Sequence, residues 1–382
     1  MPSWVSAGPA WQSLSLLTFC SLRIMDTINF GEATKKAFEQ AMKERGHANV
    51  LIAGRTGVGK STLINGVFQC QLASTGQGRP VTEGTREINK QGVPLTIFDT
   101  RGLEMGAFAT TLTALKAFIA ARRQDHDPRR HVHVAWVCVA EDLRRVEEAE
   151  TALVDMLAEF MPVLAVVTKA RADQGFRAEV QRLLPRALNV VRVRSLAEEF
   201  DDGHRLSPMG MTELVQATVD LVPEGQRRAF VAAQKADLAL KRKKSHLLVV
   251  ASVSAAMSVA AVPIPFTDAA LLIPIQLAMI ARITATYGLD FSEGFLSTFI
   301  ASVVGGAAAT LSGRAIVGAL LKLLPGAGSV AGGAIAAATA GAMTTALGEA
   351  YIAALDTLFV KHKGEQPTSD EVLAAIRATF QK

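Results

Sequence analysis

Residues 54–61 read Gly-Arg-Thr-Gly-Val-Gly-Lys-Ser, a complete match to the pattern GxxxxGK[ST]. Before them, Asn49-Val50-Leu51-Ile52-Ala53 has the character of a short buried strand, and a helix is expected from Thr62 to about Phe68. A strand, a glycine loop and a helix in that order leave few folds open. Glycines let backbone N–H groups turn inward, and the helix N-terminus adds a partial positive charge, so the loop is built to cradle a polyphosphate. The expected contacts run from Gly54, Arg55, Thr56, Gly57, Val58 and Gly59 through Lys60, Ser61 and Thr62. Lys60 would reach the outer phosphates and Ser61 would give its hydroxyl to Mg2+.

A second element supports the first. Val93-Pro94-Leu95-Thr96-Ile97-Phe98 is an apolar strand ending in Asp99-Thr100-Arg101-Gly102. An Asp at that strand end can hold Mg2+ through a water, and Gly102 can present its N–H to a γ-phosphate. The intervening Gly78–Arg86 reads as a Gly/Thr-rich loop, in which Thr82 and Thr85 both qualify as a Mg2+-ligating switch threonine. Spacing does not separate the two. The expected catalytic set is Lys60, Thr82 or Thr85, and Gly102; the expected metal ligands are Ser61, Asp99 and one of the threonines.

Further strands complete a doubly wound α/β pattern. They are His133–Val139, Pro162–Val167 ending in Thr168-Lys169, and Asn189–Arg194 ending in Ser195-Leu196-Ala197. A helix is expected from about Leu143 to Phe160, with Glu147, Glu148 and Glu150 on its wet side. Open α/β sheets bind ligands at such strand ends.

Taken together, these positions resemble the P-loop GTPases of the translation-factor-related class, especially the Era-like branch, over about residues 48–222. By that resemblance Thr168-Lys169 and a following Asp would bracket a guanine, and Ser195-Leu196-Ala197 would contact its O6 face. The family pattern [NT]KxD would place the Asp at 171, where this chain has Arg171; the first Asp is Asp173. Either the loop is two residues longer and Asp173 serves, or base selectivity is altered. GTP is favoured over ATP, because a Walker-type ATPase leaves Thr168-Lys169 and Ser195-Leu196-Ala197 unexplained. Leu103 stands where Ras-like enzymes carry a water-orienting Gln. Gly57 stands where some relatives carry a potassium-linked Asn. Slow intrinsic turnover follows, with acceleration left to a homodimer, an activating protein or a lipid surface. Arg55 and Arg101 could act as positive groups near the phosphates, but read more readily as surface ion-pair residues.

Charge divides the chain. Residues 1–245 hold 33 of the 40 Lys+Arg and 27 of the 35 Asp+Glu, whereas residues 246–360 hold eight charged side chains. The expected organisation is therefore a tail at 1–24, or a start placed upstream of Met25, and an amphipathic helix at 25–47. A G domain at 48–222, a charged linker helix at 223–245, a hydrophobic helical domain at 246–360 and a tail helix at 361–382 follow. The uncharged runs Leu247–Thr267, Gly294–Gly313 and Leu323–Gly348 are each long enough for a bilayer span of about 20 residues. Lys241-Arg242-Lys243-Lys244 before them fits a cytoplasmic G domain at the inner face of a membrane. Their Ala/Gly richness and Pro263, Pro265 and Pro274 fit a soluble bundle equally. The Val262-Pro263-Ile264-Pro265 segment onward looks like the helical domain of unknown function that follows Era-like G domains in bacterial chains, over about residues 245–355. In the tail, Ser369 reads as the helix cap.

Two functions from different classes remain. One is a Mg2+-dependent GTPase switch coupled to the helical domain, with GTP/GDP as ligand. The other is a nucleotide-stabilised scaffold with little turnover. Basic runs without interleaved aromatics argue against nucleic acid. Cys20, Cys70 and Cys138 share no CxxC spacing, which excludes a zinc ribbon or a disulfide framework.

Overall fold

Strand β1 (Ala48–Ala53) lies at the middle of a sheet because all six of its residues are buried. The computed structural model describes residues 30–69, 79–82, 85–100, 108–260, 268–289 and 333–380. The N-terminal tail at 1–24, Arg101, Gly102, Leu103 and the run Gly294–Gly313 lie outside the described residues. Beside β1 stand β2 (Arg79–Thr82), β3 (Thr85–Asn89), β4 (Leu95–Thr100), β5 (Val134–Ala140), β6 (Val163–Thr168) and β7 (Asn189–Arg192). The order is β2-β3-β4-β1-β5-β6-β7, with β4 through β7 parallel and the β2–β3 and β3–β4 pairs antiparallel. The fold class read from sequence holds: a mostly parallel α/β sheet, then helices.

The parallel strands are near-continuous apolar runs because helices cover both faces. One face packs α2 (Lys60–Val67), α6 (Met211–Leu221) and α7 (Glu224–Ala233) through Leu63, Ile64, Leu214 and Phe230 around Trp136. The other packs α3 (Phe108–Arg123), α4 (Glu148–Leu157) and α5 (Phe176–Leu183) through Leu115, Leu153, Val154 and Phe176. A small hairpin, β8 (Glu198–Glu199) with β9 (Arg205–Leu206), follows β7.

Three local expectations change. The Gly/Thr-rich stretch is not simply a loop: β2 and β3 pair there, with Thr82 opposite Thr85. The long helix expected from Leu143 begins at Glu148, where Glu147 and Glu150 form a capping box. Glu150 is not on the wet side; it is buried, and its carboxylate accepts the Glu147 N–H at 2.8 Å. Satisfying that orphan helix-end donor outweighs keeping the side chain in water.

The second unit gathers α8 (Leu238–Ala260), α9 (Asp268–Tyr287), α10 (Gly333–Lys361) and α11 (Ser369–Phe380). The N-terminal helix α1 (Phe30–Arg45) joins it, burying Phe38 and Ala41 against Ile280, Ile283, Tyr351 and Leu355. A bidentate pair from Arg282 to Glu44, at 2.9 and 3.0 Å, fixes that contact. The charged linker helix is not one helix. It breaks at Gln234–Asp237, and its basic half runs without interruption into the uncharged run as α8. Lys241 is fully buried and Arg242, though exposed, pairs with Asp356, so Lys243 and Lys244 are the exposed bases of the run without an ion pair among the described residues. At the tail, Thr368 and Glu371 exchange the capping bonds, so Thr368 rather than Ser369 is the cap. Among the described residues no helix is long and apolar enough to cross a membrane.

The two units meet at the end of the P-loop helix. Gln69, wholly buried just beyond α2, donates its N–H to Ala233 O and its side-chain amide to Tyr287 O. Gln366 then donates to Gln69 Oε1 at 3.1 Å and to Gly288 O at 2.6 Å.

Candidate nucleotide site

The glycine loop turns at the carboxyl end of β1, between the ends of β4 and β5. Gly54 has φ +143°, and a Cβ there would stand 2.5 Å from the Cys138 carbonyl oxygen. Gly59, the N-cap of α2, has φ +97°, the left-handed region where side chains are strained. These two positions let the backbone wrap inward. Lys60 Nζ donates to the carbonyls of Gly54 (2.8 Å) and Arg55 (3.0 Å), which keeps the ammonium within the loop. Arg55 points away, into a pair with Glu147, as the sequence reading of it as an ion-pair residue has it. Cys138 lies beneath; burial pushes its thiol up to about 12, so it remains an uncharged packing group.

Asp99 sits opposite Ile52 in the parallel register and opposite Arg86 in the antiparallel one. Its strand therefore ends beside the entrance to the loop. Thr85 pairs with Thr100, so the alternation of a strand sets Thr85 on the opposite sheet face from Asp99. The Thr85 hydroxyl is buried and has no hydrogen-bond partner among the described residues. By chemistry, the expected Ser61, Asp99 and threonine oxygens are hard donors of the kind that suits Mg2+ completed by phosphate and water. No group of three His, Cys, Asp or Glu side chains capable of holding a metal occurs among the described residues, and a P-loop site needs none.

Of the residues expected at the base end, Thr168 reaches the same loop. Thr168 Oγ1 donates to Val58 O at 2.5 Å and lies 3.3 Å from Val139 O, tying β6 to the P-loop. Lys169, at φ +52°, turns its ammonium to Asp142 at 3.0 Å. Ser195 packs against α2, 3.2 Å from where a Cβ on Gly66 would stand, while Leu196 and Ala197 are exposed. Asp173 is drawn to the start of α5, accepting the Arg177 N–H at 2.8 Å. Thr168→Val should weaken mantGTP binding about fivefold in a fluorescence titration, the effect of one net hydrogen bond of about 1 kcal/mol.

Sequence reasoning missed Glu141 and Arg192. Glu141 is 2% exposed, and its carboxylate accepts the Arg171 N–H at 2.6 Å and Arg192 Nε at 2.7 Å. Burial raises its carboxyl, but Arg192 and the Arg171 N–H outweigh that and hold it below the usual value. An acidic residue ending an apolar strand was the available signal.

Residues 49–169 match the sequence model of a family described as 50S ribosome-binding GTPase. Over those residues the chain is similar to a GTPase-type G domain. Residues 226–382 match a Domain of unknown function (DUF697). A curated relative, Magnetosome membrane protein 22 of Magnetospirillum gryphiswaldense, is 37% identical over 100 residues, 26% of this chain and 51% of that protein. The alignment thus spans about half of the relative's length. Among solved structures, a probable GTP-binding protein engB aligns at 18% identity and TM-score 0.32, over 45% of this chain and 97% of that one. The G domain of the T. maritima FeoB iron transporter aligns at 17% identity and TM-score 0.29, over 46% and 98%. A chain from the chloroplast translocon components atToc33 and psToc159, for whose GTPase activity dimerization is important, aligns at 17% identity and TM-score 0.33, over 50% and 90%.

Proposed function

We propose that the chain is a slow, Mg2+-dependent GTPase switch whose nucleotide state is passed to the C-terminal helices at the inner face of a membrane. The observation that carries the nucleotide half is that Lys60 and Thr168 both bond to carbonyls of one glycine loop at the carboxyl end of parallel strands, with the end of the Asp99 strand beside it and Ser195 on the helix that follows. Lys60 would leave the loop carbonyls for the outer phosphates. Ser61 and Asp99 would hold Mg2+, which when bound neutralises charge on the phosphates, and Thr82 or Thr85 would join them only by turning to the Asp99 side of the sheet. Gly102 would supply a γ-phosphate N–H, and Thr168, Lys169 and Ser195-Leu196-Ala197 would surround the base end, with Asp173 the acceptor that the sequence spacing offers. The Era-like branch is the reading that this set of motifs favours; the G domain would extend past 222 through α7, and the helical unit would run from α8 to α11 with α1 added.

Two observations support coupling. Gln69 closes the P-loop helix and is hydrogen-bonded to α9, so a shift of α2 is felt directly by the helical unit. On α8, Leu247, Val250 and Met257 are 57%, 62% and 41% exposed, and exposed Lys243 and Lys244 precede them on the same helix. An exposed apolar face beginning at a basic pair suits an anionic lipid surface. GTP turnover by residues 25–382 should therefore rise several-fold on vesicles containing phosphatidylglycerol. Turnover that is measurable and unchanged by lipid removes the membrane half. Binding without turnover in either condition favours the scaffold, or a switch awaiting a protein activator or a second copy.

A further inference from the structure

Resting on the GTP reading above, we propose that Glu198, held in place by Arg171, is the carboxylate that reads the guanine edge. A guanine presents N1–H and a 2-amino group, two donors that call for a carboxylate acceptor. Arg171 occupies the position where the resemblance expects that acceptor, and a guanidinium only donates. Its backbone is pinned below by buried Glu141, so the loop cannot slide to bring another residue into its place at no cost. Asp173, two residues on, is drawn by its Oδ1 to the start of α5: that oxygen accepts the Arg177 N–H and lies 3.6 Å from Arg192 Nε.

The Arg171 side chain reaches across to the other base-end loop. Its Nε donates to Glu198 Oε2 at 2.6 Å, and its guanidinium stands 5.8 Å from the Phe200 ring centroid. Glu198 directly follows Ser195-Leu196-Ala197, of which Ser195 packs on the P-loop helix. Arg171 engages Oε2, while Oε1 takes no hydrogen bond among the described residues. The pair thus spans the two loops between which the base would lie, and it restores the acceptor that Arg171 by itself removes. Arg171 is a positioning residue here, and Glu198 the contact.

The test is competition of GTP, XTP and ATP against mantGTP on the full chain, comparing wild type, Glu198→Gln and Asp173→Asn. Xanthine carries a carbonyl where guanine has its 2-amino group, and a Gln amide can donate to it. Glu198→Gln should therefore lose GTP affinity at least about tenfold and gain affinity for XTP, a gain that misfolding cannot produce. An unchanged GTP:XTP ratio in Glu198→Gln, or a shift toward XTP in Asp173→Asn alone, overturns the assignment while leaving GTP binding intact. A wild type that does not prefer GTP over ATP overturns the guanine reading and this inference with it.

Discussion

Lys60→Ala should reduce mantGTP affinity by about 10- to 150-fold and leave no turnover above the no-protein blank. The ammonium is the group at the loop with a full positive charge already inside the backbone turn, bonded to Gly54 O and Arg55 O. A hydrogen bond from a charged donor contributes about 1.5–3 kcal/mol, which gives that range in binding. Turnover falls further, because the same charge faces the phosphate oxygens on which charge shifts in the transition state. The variant should fold as the wild type does, since Lys60 is half-buried at a helix start and β1 and α2 bury their apolar residues independently of it. Circular dichroism and a fluorescence titration on the same sample separate the two effects. Wild-type-like affinity in Lys60→Ala would mean that nucleotide, if bound, sits elsewhere.

That half of the molecule was legible because phosphate chemistry restricts residue types at fixed spacing. Gly54 and Gly59 must be glycine for backbone reasons, and Lys60 and Ser61 for charge and hydroxyl. Strands β1, β5 and β6 were equally plain, since burial on both faces leaves continuous apolar runs. Thr82 and Thr85 were less so. Their Gly/Thr-rich surroundings signal a turn, yet the antiparallel partner that makes β3 a strand is β4, which lies later in the chain.

The helical unit was harder to read for a different reason. Phe38 and Ala41 of α1 pack against residues more than two hundred positions away, and no local pattern announces that. Glu141 and Glu150 look like solvated acids in sequence; each is buried because it satisfies specific N–H groups. The basic run at 241–244 was the sharpest trap. Four consecutive cations read as one surface cluster, whereas a helix sends successive side chains in different directions, so one of them enters the core.

That residue makes the second strong prediction. Lys241 is 0% exposed, and its Nζ donates to Ala232 O at 2.8 Å and Tyr287 O at 2.9 Å, with the Phe359 ring 5.5 Å away. Burial first, and the charge of Arg45 second, push its ammonium well below the usual lysine value. A neutral amine still supplies two N–H donors, one for each carbonyl. An unfolded chain keeps the proton up to about pH 10.4, so between the lowered folded value and that pH the unfolded state binds more protons. Wild-type stability therefore rises with pH across this window, by up to about 1.4 kcal/mol per pH unit from this one group. Lys241→Met keeps the stem's volume and has no proton to lose. Urea unfolding of both chains at matched pH from 7 to 10 should show wild type gaining on Lys241→Met as the pH rises above the lowered value. Parallel curves would mean that the ammonium stays charged where it is, held by the two carbonyls and the Phe359 face. In that case the joint between the G domain and the helices is held by a buried cation rather than by a neutral packing group.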